Sequence, residues 1–80
     1  MLVRFLTYNF NDDPTGMENG KYLSGTNVKN FDRFLSMLKH MNGKDIKIGD
    51  EWYTYEGDYY LSFPKNDDEI MSLNVFVCEY

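Results

Sequence analysis

Few side chains in this sequence could carry chemistry, and their spacing narrows what that chemistry could be. There is one histidine, His40, and one cysteine, Cys78. One cysteine cannot close an internal disulfide, and with a single histidine it cannot build a Cys-rich zinc site. His40 falls in the last turn of a helical pattern, where the helix dipole favours a protonated imidazole, a structural use. Cys78 sits in an apolar run without a cationic neighbour to activate its thiol and reads as a small core hydrophobe. Asp12-Asp13 and Asp67-Asp68-Glu69 lack the ligand spacing of a calcium loop. Ser24-Gly25-Thr26-Asn27 could turn backbone amides toward an anion, but a helix cap is the simpler use. No two carboxylates are tied to a common pocket for acid/base work. The expectation is a non-enzymatic protein with no metal and no cofactor.

What stands out is a surface signature. The segment DEWYTYEGDYYLSF, residues 50 to 63, holds Trp52, Tyr53, Tyr55, Tyr59 and Tyr60 among Asp50, Glu51, Glu56 and Asp58, with no basic residue. Charge is segregated along the chain. Residues 1 to 49 carry seven Lys/Arg against five Asp/Glu, whereas residues 50 to 80 carry Lys65 alone against eight acids, making the total of −5. Such an asymmetry argues against a nucleic-acid binder, whose affinity would come from neutralising phosphates with a basic face. It suits a protein that meets a basic surface, although a modest acidic excess also serves solubility.

The elements that must position these residues come next. Eighty residues, 42% hydrophobic and 18% aromatic, fit one folded domain that buries only roughly 60 to 65% of its unfolded surface. The run MLVRFLTYNFNDD is broken at Arg4 and Asn9 and has no small-residue cleavage site, and no stretch reaches the ~20 apolar residues of a membrane span. A cytoplasmic protein is expected. Residues 2 to 10 read as an inner strand, apolar on both faces. The turn residues of 11 to 20 follow, and KYLSG returns as a strand beside the first. Val28, Phe31, Phe34, Leu35, Leu38 and Met41 recur at helical spacing, giving a main helix over 28–41 capped by Thr26 or Asn27 and ended at Asn42-Gly43. Short β-prone runs parted by Gly49-Asp50 and Gly57-Asp58 predict a meander over 44–63. Pro64 stops it. Asn66 with Glu69 starts a short helix near 67–72, and residues 73 to 79 form a last strand that can lie beside the first. The fold class is α+β: a single two-layer domain, with a mostly antiparallel sheet of four to six strands under one main helix.

A two-residue turn at Gly57-Asp58 would pair Tyr55 with Tyr60 and Trp52 with Phe63. Trp52, Thr54, Leu61 and Phe63 would then face the helix. Tyr53, Tyr55, Tyr60 and Ser62 would face outward with Glu51, unless these rings only cover the sheet beneath the 11–20 loop. Tyrosine gives rigid, half-polar contact area at little entropic cost. The expected partner-binding residues are therefore Glu51, Tyr53, Tyr55, Glu56, Asp58 and Tyr60, with Asp67, Asp68 and Glu69 as a second acidic cluster.

In size, acidity, aromatic content and lack of a catalytic signature, the chain resembles the small phage-encoded anti-defence proteins, among them anti-CRISPR proteins and DNA mimics. DEWYTYEGDYYLSF and the cluster NDDE at 66 to 69 carry the resemblance. It implies inhibition by occlusion, the acidic face occupying the basic nucleic-acid channel of a larger CRISPR effector or nuclease in the host cytoplasm. The physics agrees with that use: same-face carboxylates two residues apart on a strand lie ~6.6 Å apart, close to two phosphate steps of ~3.4 Å. A nuclease-toxin immunity protein would work in the same way. The alternatives are a regulatory or assembly subunit docking through a tyrosine-rich sheet face, on a neutral partner or on itself as a homodimer, and a small-ligand module using a pocket between helix and sheet.

Overall fold

A computed structural model describes residues 1–11, 13–18, 20–66 and 70–79. In chain order the elements are β1 (Leu2–Thr7), β2 (Lys21–Asn27), α1 (Phe31–His40), β3 (Asp45–Ile48), β4 (Glu51–Ser62) and β5 (Ser72–Glu79). The strands make one sheet in the order β2-β1-β5-β4-β3. The two strands that read as apolar on both faces take the inner places. β5 is the middle strand and is buried from Ser72 to Val77, as a strand covered on both faces must be. β1 runs parallel to it, with Leu2 opposite Ser72 and Thr7 opposite Val77. The expected mostly antiparallel sheet is thus corrected to a mixed one, because the first and last strands lie side by side and run the same way.

Helix α1 covers one face. Its Leu38 joins Val3, Tyr53, Tyr55, Leu73, Val75 and Val77 in the core, flanked by Phe31, Phe34, Leu35, Phe5, Ile46, Ile48 and Tyr59. The helix begins later than the periodicity predicts. Asn30, not Thr26 or Asn27, is its N-cap, accepting a hydrogen bond from the Arg33 N–H on Oδ1 at 3.0 Å. β2 continues instead through Thr26 and Asn27. Val28 closes the pairing with the start of β1 by donating its N–H to the Met1 carbonyl at 2.8 Å. Pairing with an inner strand won over helix propensity there.

Two Gly-Asp dipeptides take different roles. Gly49 (φ 64°) and Asp50 form a two-residue hairpin turn, with Ile48 opposite Glu51. Gly57 also has positive φ, 95°, but does not turn the chain. β4 runs on through it beside β5, Tyr55 facing Val77 and Tyr59 facing Val75, so that residues 56 to 58 stand opposite Phe76 alone. This is a bulge with two extra residues. The expected hairpin at Gly57-Asp58 is therefore absent. Folding β4 back on itself would leave the middle strand only part of its seven pairings with β4, which fall on both sides of Gly57. Of the helix expected near 67–72, residues 67–69 lie outside the described residues, while Ile70 and Met71 are not helical and Ser72 already belongs to β5, so α1 is the only helix among the described residues. None is long and apolar enough to cross a membrane.

Candidate functional site

Alternation along β4 decides which rings reach solvent, and the bulge, with an even number of extra residues, leaves it in phase. Side chains alternate along a strand, and the Gly49-Asp50 turn fixes the phase for the first half of β4. Tyr53 and Tyr55 point under the helix and are 9% and 1% exposed, whereas Trp52 between strand and solvent is 51% exposed. The predicted faces are thus exchanged at this end: Tyr53 and Tyr55 are core, not surface anchors, and Trp52 is surface, not core. Leu61 and Phe63, expected inward, are exposed as well. Glu51 is exposed at the start of β4 on the Tyr53 side of the strand. Tyr60 lies on the second face at 38% exposure, stacked on Phe76 with ring centroids 5.8 Å apart.

The second face, away from the helix, is covered only at its middle. The 8–20 loop lays Tyr8 against Phe76 (5.3 Å between centroids) and Phe10 against Tyr8 (5.8 Å). Asp13 organises that loop. Its carboxylate accepts the Thr15 hydroxyl at 2.6 Å and the N–H groups of Thr15, Met17 and Glu18 at 3.0 Å each. These bonds, led by the Thr15 hydroxyl, hold the Asp13 pKa down at about 2. At one side of the loop, Leu2, Arg4, Ser62, Phe63, Lys65, Ile70 and Ser72 line an open hollow.

At the other side lies a polar row that sequence reasoning did not foresee. The Thr54 hydroxyl donates to Asp45 at 3.3 Å, the Cys78 thiol to Glu56 at 3.6 Å and the Tyr8 hydroxyl to Asp58 at 2.6 Å. Glu56 and Asp58 lie on this face with Thr54 and Tyr60, on either side of Gly57, and the end of β1 delivers Tyr8 to them. Burial first, then the Asp58 hydrogen bond and charge, push the Tyr8 phenol well above its usual range. Burial, followed by the charge of Glu56, likewise raises the Cys78 thiol. Both donors are therefore neutral at pH 7. They orient Glu56 and Asp58 without offsetting their charge, as a Lys or Arg partner would. Trp52 stands beside this row on the same face.

Of the predicted site residues, Glu56, Asp58 and Tyr60 come together on the second face, Glu51 stands apart at the β3–β4 turn, and Asp67, Asp68 and Glu69 lie outside the described residues. Sequence reasoning missed Trp52 and Tyr8. Counting alternation outward from Gly49-Asp50 alone would have found Trp52; Tyr8 carried no local signal. Among the described residues no three His, Cys, Asp or Glu side chains gather as a metal site. The arrangement sets Glu56 and Asp58, each accepting from a neutral donor, on one face beside the exposed ring of Trp52. No protein family, curated protein or solved structure matches the chain.

Proposed function

We propose that this chain is a binding protein whose second sheet face, acidic and aromatic, occupies a basic, nucleic-acid-binding surface of a larger effector or nuclease. The observation that carries the reading is the pair Glu56 and Asp58, each held by a neutral donor, next to the half-exposed Trp52. Charges ordered in this way lose little conformational freedom on docking and keep their full field for steering a cationic partner. Trp52 supplies the desolvated anchor that charge alone lacks. The anti-defence resemblance points to the same mode of action, inhibition by occlusion.

Capture from host extract on immobilised protein, followed by surface-plasmon kinetics with the partner recovered, tests the reading. Trp52→Ala is expected to cost about 2 kcal/mol or more and to appear as faster dissociation. Reversal to Lys at Glu56 or Asp58 is expected to slow association and flatten its salt dependence. A partner whose binding ignores all three substitutions removes this face from the interface. Loss on Trp52→Ala with association indifferent to salt would favour an assembly subunit docking on a neutral surface.

A further inference from the structure

The sheet has two outer edges, β2 and β3, and they differ in a way that bears on association. β3 is four residues long with Asp45 and Lys47 exposed along it. Short length and charge are the usual protections of an edge against pairing with another chain. β2 is seven residues long, and from Tyr22 to Asn27 it carries no charge and no proline. Its outward groups can be assigned. Met1 and Val28 exchange both backbone bonds, at 2.8 and 3.1 Å. Antiparallel alternation then turns Thr26 and Ser24 toward β1, and the N–H and C=O of Asn27 and Gly25 away from the sheet.

We propose that this edge pairs with β2 of a second copy, antiparallel across a two-fold axis at Gly25, to make one continuous sheet of ten strands. The register is self-complementary: outward-facing Gly25 meets its own copy, Ser24 lies opposite Thr26, and Leu23 opposite Asn27. Opposed Ser and Thr are a favourable cross-strand pair. Charge selects the edge. Both edges bring like charges together, but β2 the fewer: β1 and β2 contain Arg4 and Lys21, with Lys21 opposite Lys29 of the copy just beyond the strand, whereas residues 45 to 62 contain Asp45, Asp50, Glu51, Glu56 and Asp58 against Lys47. Pairing through β3 would press two such acidic ends together. Pairing through β2 leaves them at opposite ends, separated by several strand spacings of about 4.8 Å and beyond the ~8 Å screening length.

A strand ladder alone buries less than the ~1,000 Å² of a specific interface. More apolar surface lies at hand. Tyr22 is 54% exposed, with the Arg4 guanidinium 5.5 Å from its ring centre. The chain leaving β2 leads into an open groove of about 440 Å³ lined by Val28, Asn30, Arg33, Phe34 and Met37. The acidic face stays free in such a dimer, which thus presents two copies of it to a partner. The dimer does not depend on the binding role of that face.

Sedimentation equilibrium across a dilution series, with amide hydrogen exchange of the same samples, tests the proposal. A monomer–dimer equilibrium is expected, with exchange at Gly25 and Asn27 slowing as the dimer fills. Gly25→Pro removes the central donor from both copies, and the loss of two hydrogen bonds is expected to weaken the dimer about tenfold. Thr26→Lys, an exposed change that keeps every backbone donor, is expected to weaken it in the same direction and serves if the proline variant does not fold. Three results would overturn the pairing: a monomer at every concentration, a dimer indifferent to Thr26→Lys, or protection that rises at residues 45 to 48. Open-ended growth instead of a dimer would do so too, since it would mean β2 pairing head-to-tail with β3.

Discussion

The two faces of β4 are built from the same kind of residue and have opposite fates. Tyr53 and Tyr55 are sealed beneath α1, while Trp52 and Tyr60, on the same strand, reach solvent. Ring count therefore says nothing about which ring is available to a partner. Cover and phase decide it: a helix closes the part of one face that holds Tyr53 and Tyr55, while Tyr8 closes only the middle of the other around Phe76.

The sharpest way to break this comparison is to truncate one ring on each face. Tyr55→Ala is expected to cost about 3 to 5 kcal/mol, the range for emptying a large aromatic site in a core. Trp52→Ala is expected to stay within about 0.5 kcal/mol, as for most exposed positions. Urea unfolding of the two variants side by side measures both. Equal losses would mean that the second face is as closed as the first.

A smaller effect probes how the loop holds its face. Tyr8→Phe removes the bond to Asp58 but keeps the stack on Phe76, and is expected to cost about 1 kcal/mol. Burial and Asp58 favour the neutral phenol in the fold. Its contribution is therefore complete below the ordinary tyrosine pKa of about 10 and is lost as pH rises beyond it. Wild-type stability is expected to fall in alkali more steeply than that of Tyr8→Phe. Parallel pH–stability curves would detach Tyr8 from the fold's alkaline limit.

Acid addresses the loop itself. The Asp13 carboxylate is held at about 2, so its loop bonds are fully present above its ordinary value of about 3.8 and are lost as pH falls toward 2. The Met17 and Glu18 amide resonances are expected to titrate together with a midpoint near 2, and a midpoint near 3.8 would show that the loop is not tied through Asp13. The smallest effect is a rate. Glu56→Gln removes a charge that helps to raise the Cys78 thiol, so alkylation at fixed pH is expected to quicken. An unchanged rate would leave burial, with the charge of Asp58, as the cause.

Much of the fold could be read from local pattern. The apolar runs at both ends fall in the sheet's interior side by side, the stripe from Phe31 to Leu38 becomes the covering helix, and Gly49-Asp50 turns the chain. The site was less legible, and the reason is one dipeptide. Gly57-Asp58 has the same local chemistry as Gly49-Asp50, but a middle strand offers β4 seven pairings if it runs straight. Long-range pairing outweighed the turn, and with it went the predicted sidedness of Tyr53, Tyr55 and Trp52. The 2.6 Å bond between Tyr8 and Asp58 joins residues 50 positions apart, a distance over which no periodicity speaks.

The central place of β5 also governs how the chain is made. Emerging from the ribosome, residues 1 to 62 can form only two separate ribbons, β1 with β2 and β3 with β4, and an isolated two-stranded ribbon is marginal in water. The strand that joins them comes last, pairing Ser72 with Leu2 across 70 positions. Non-local closure of this kind is slow, and while it is pending each ribbon exposes an apolar edge meant for β5. A nascent chain stalled before residue 72 is thus the species most prone to aggregate.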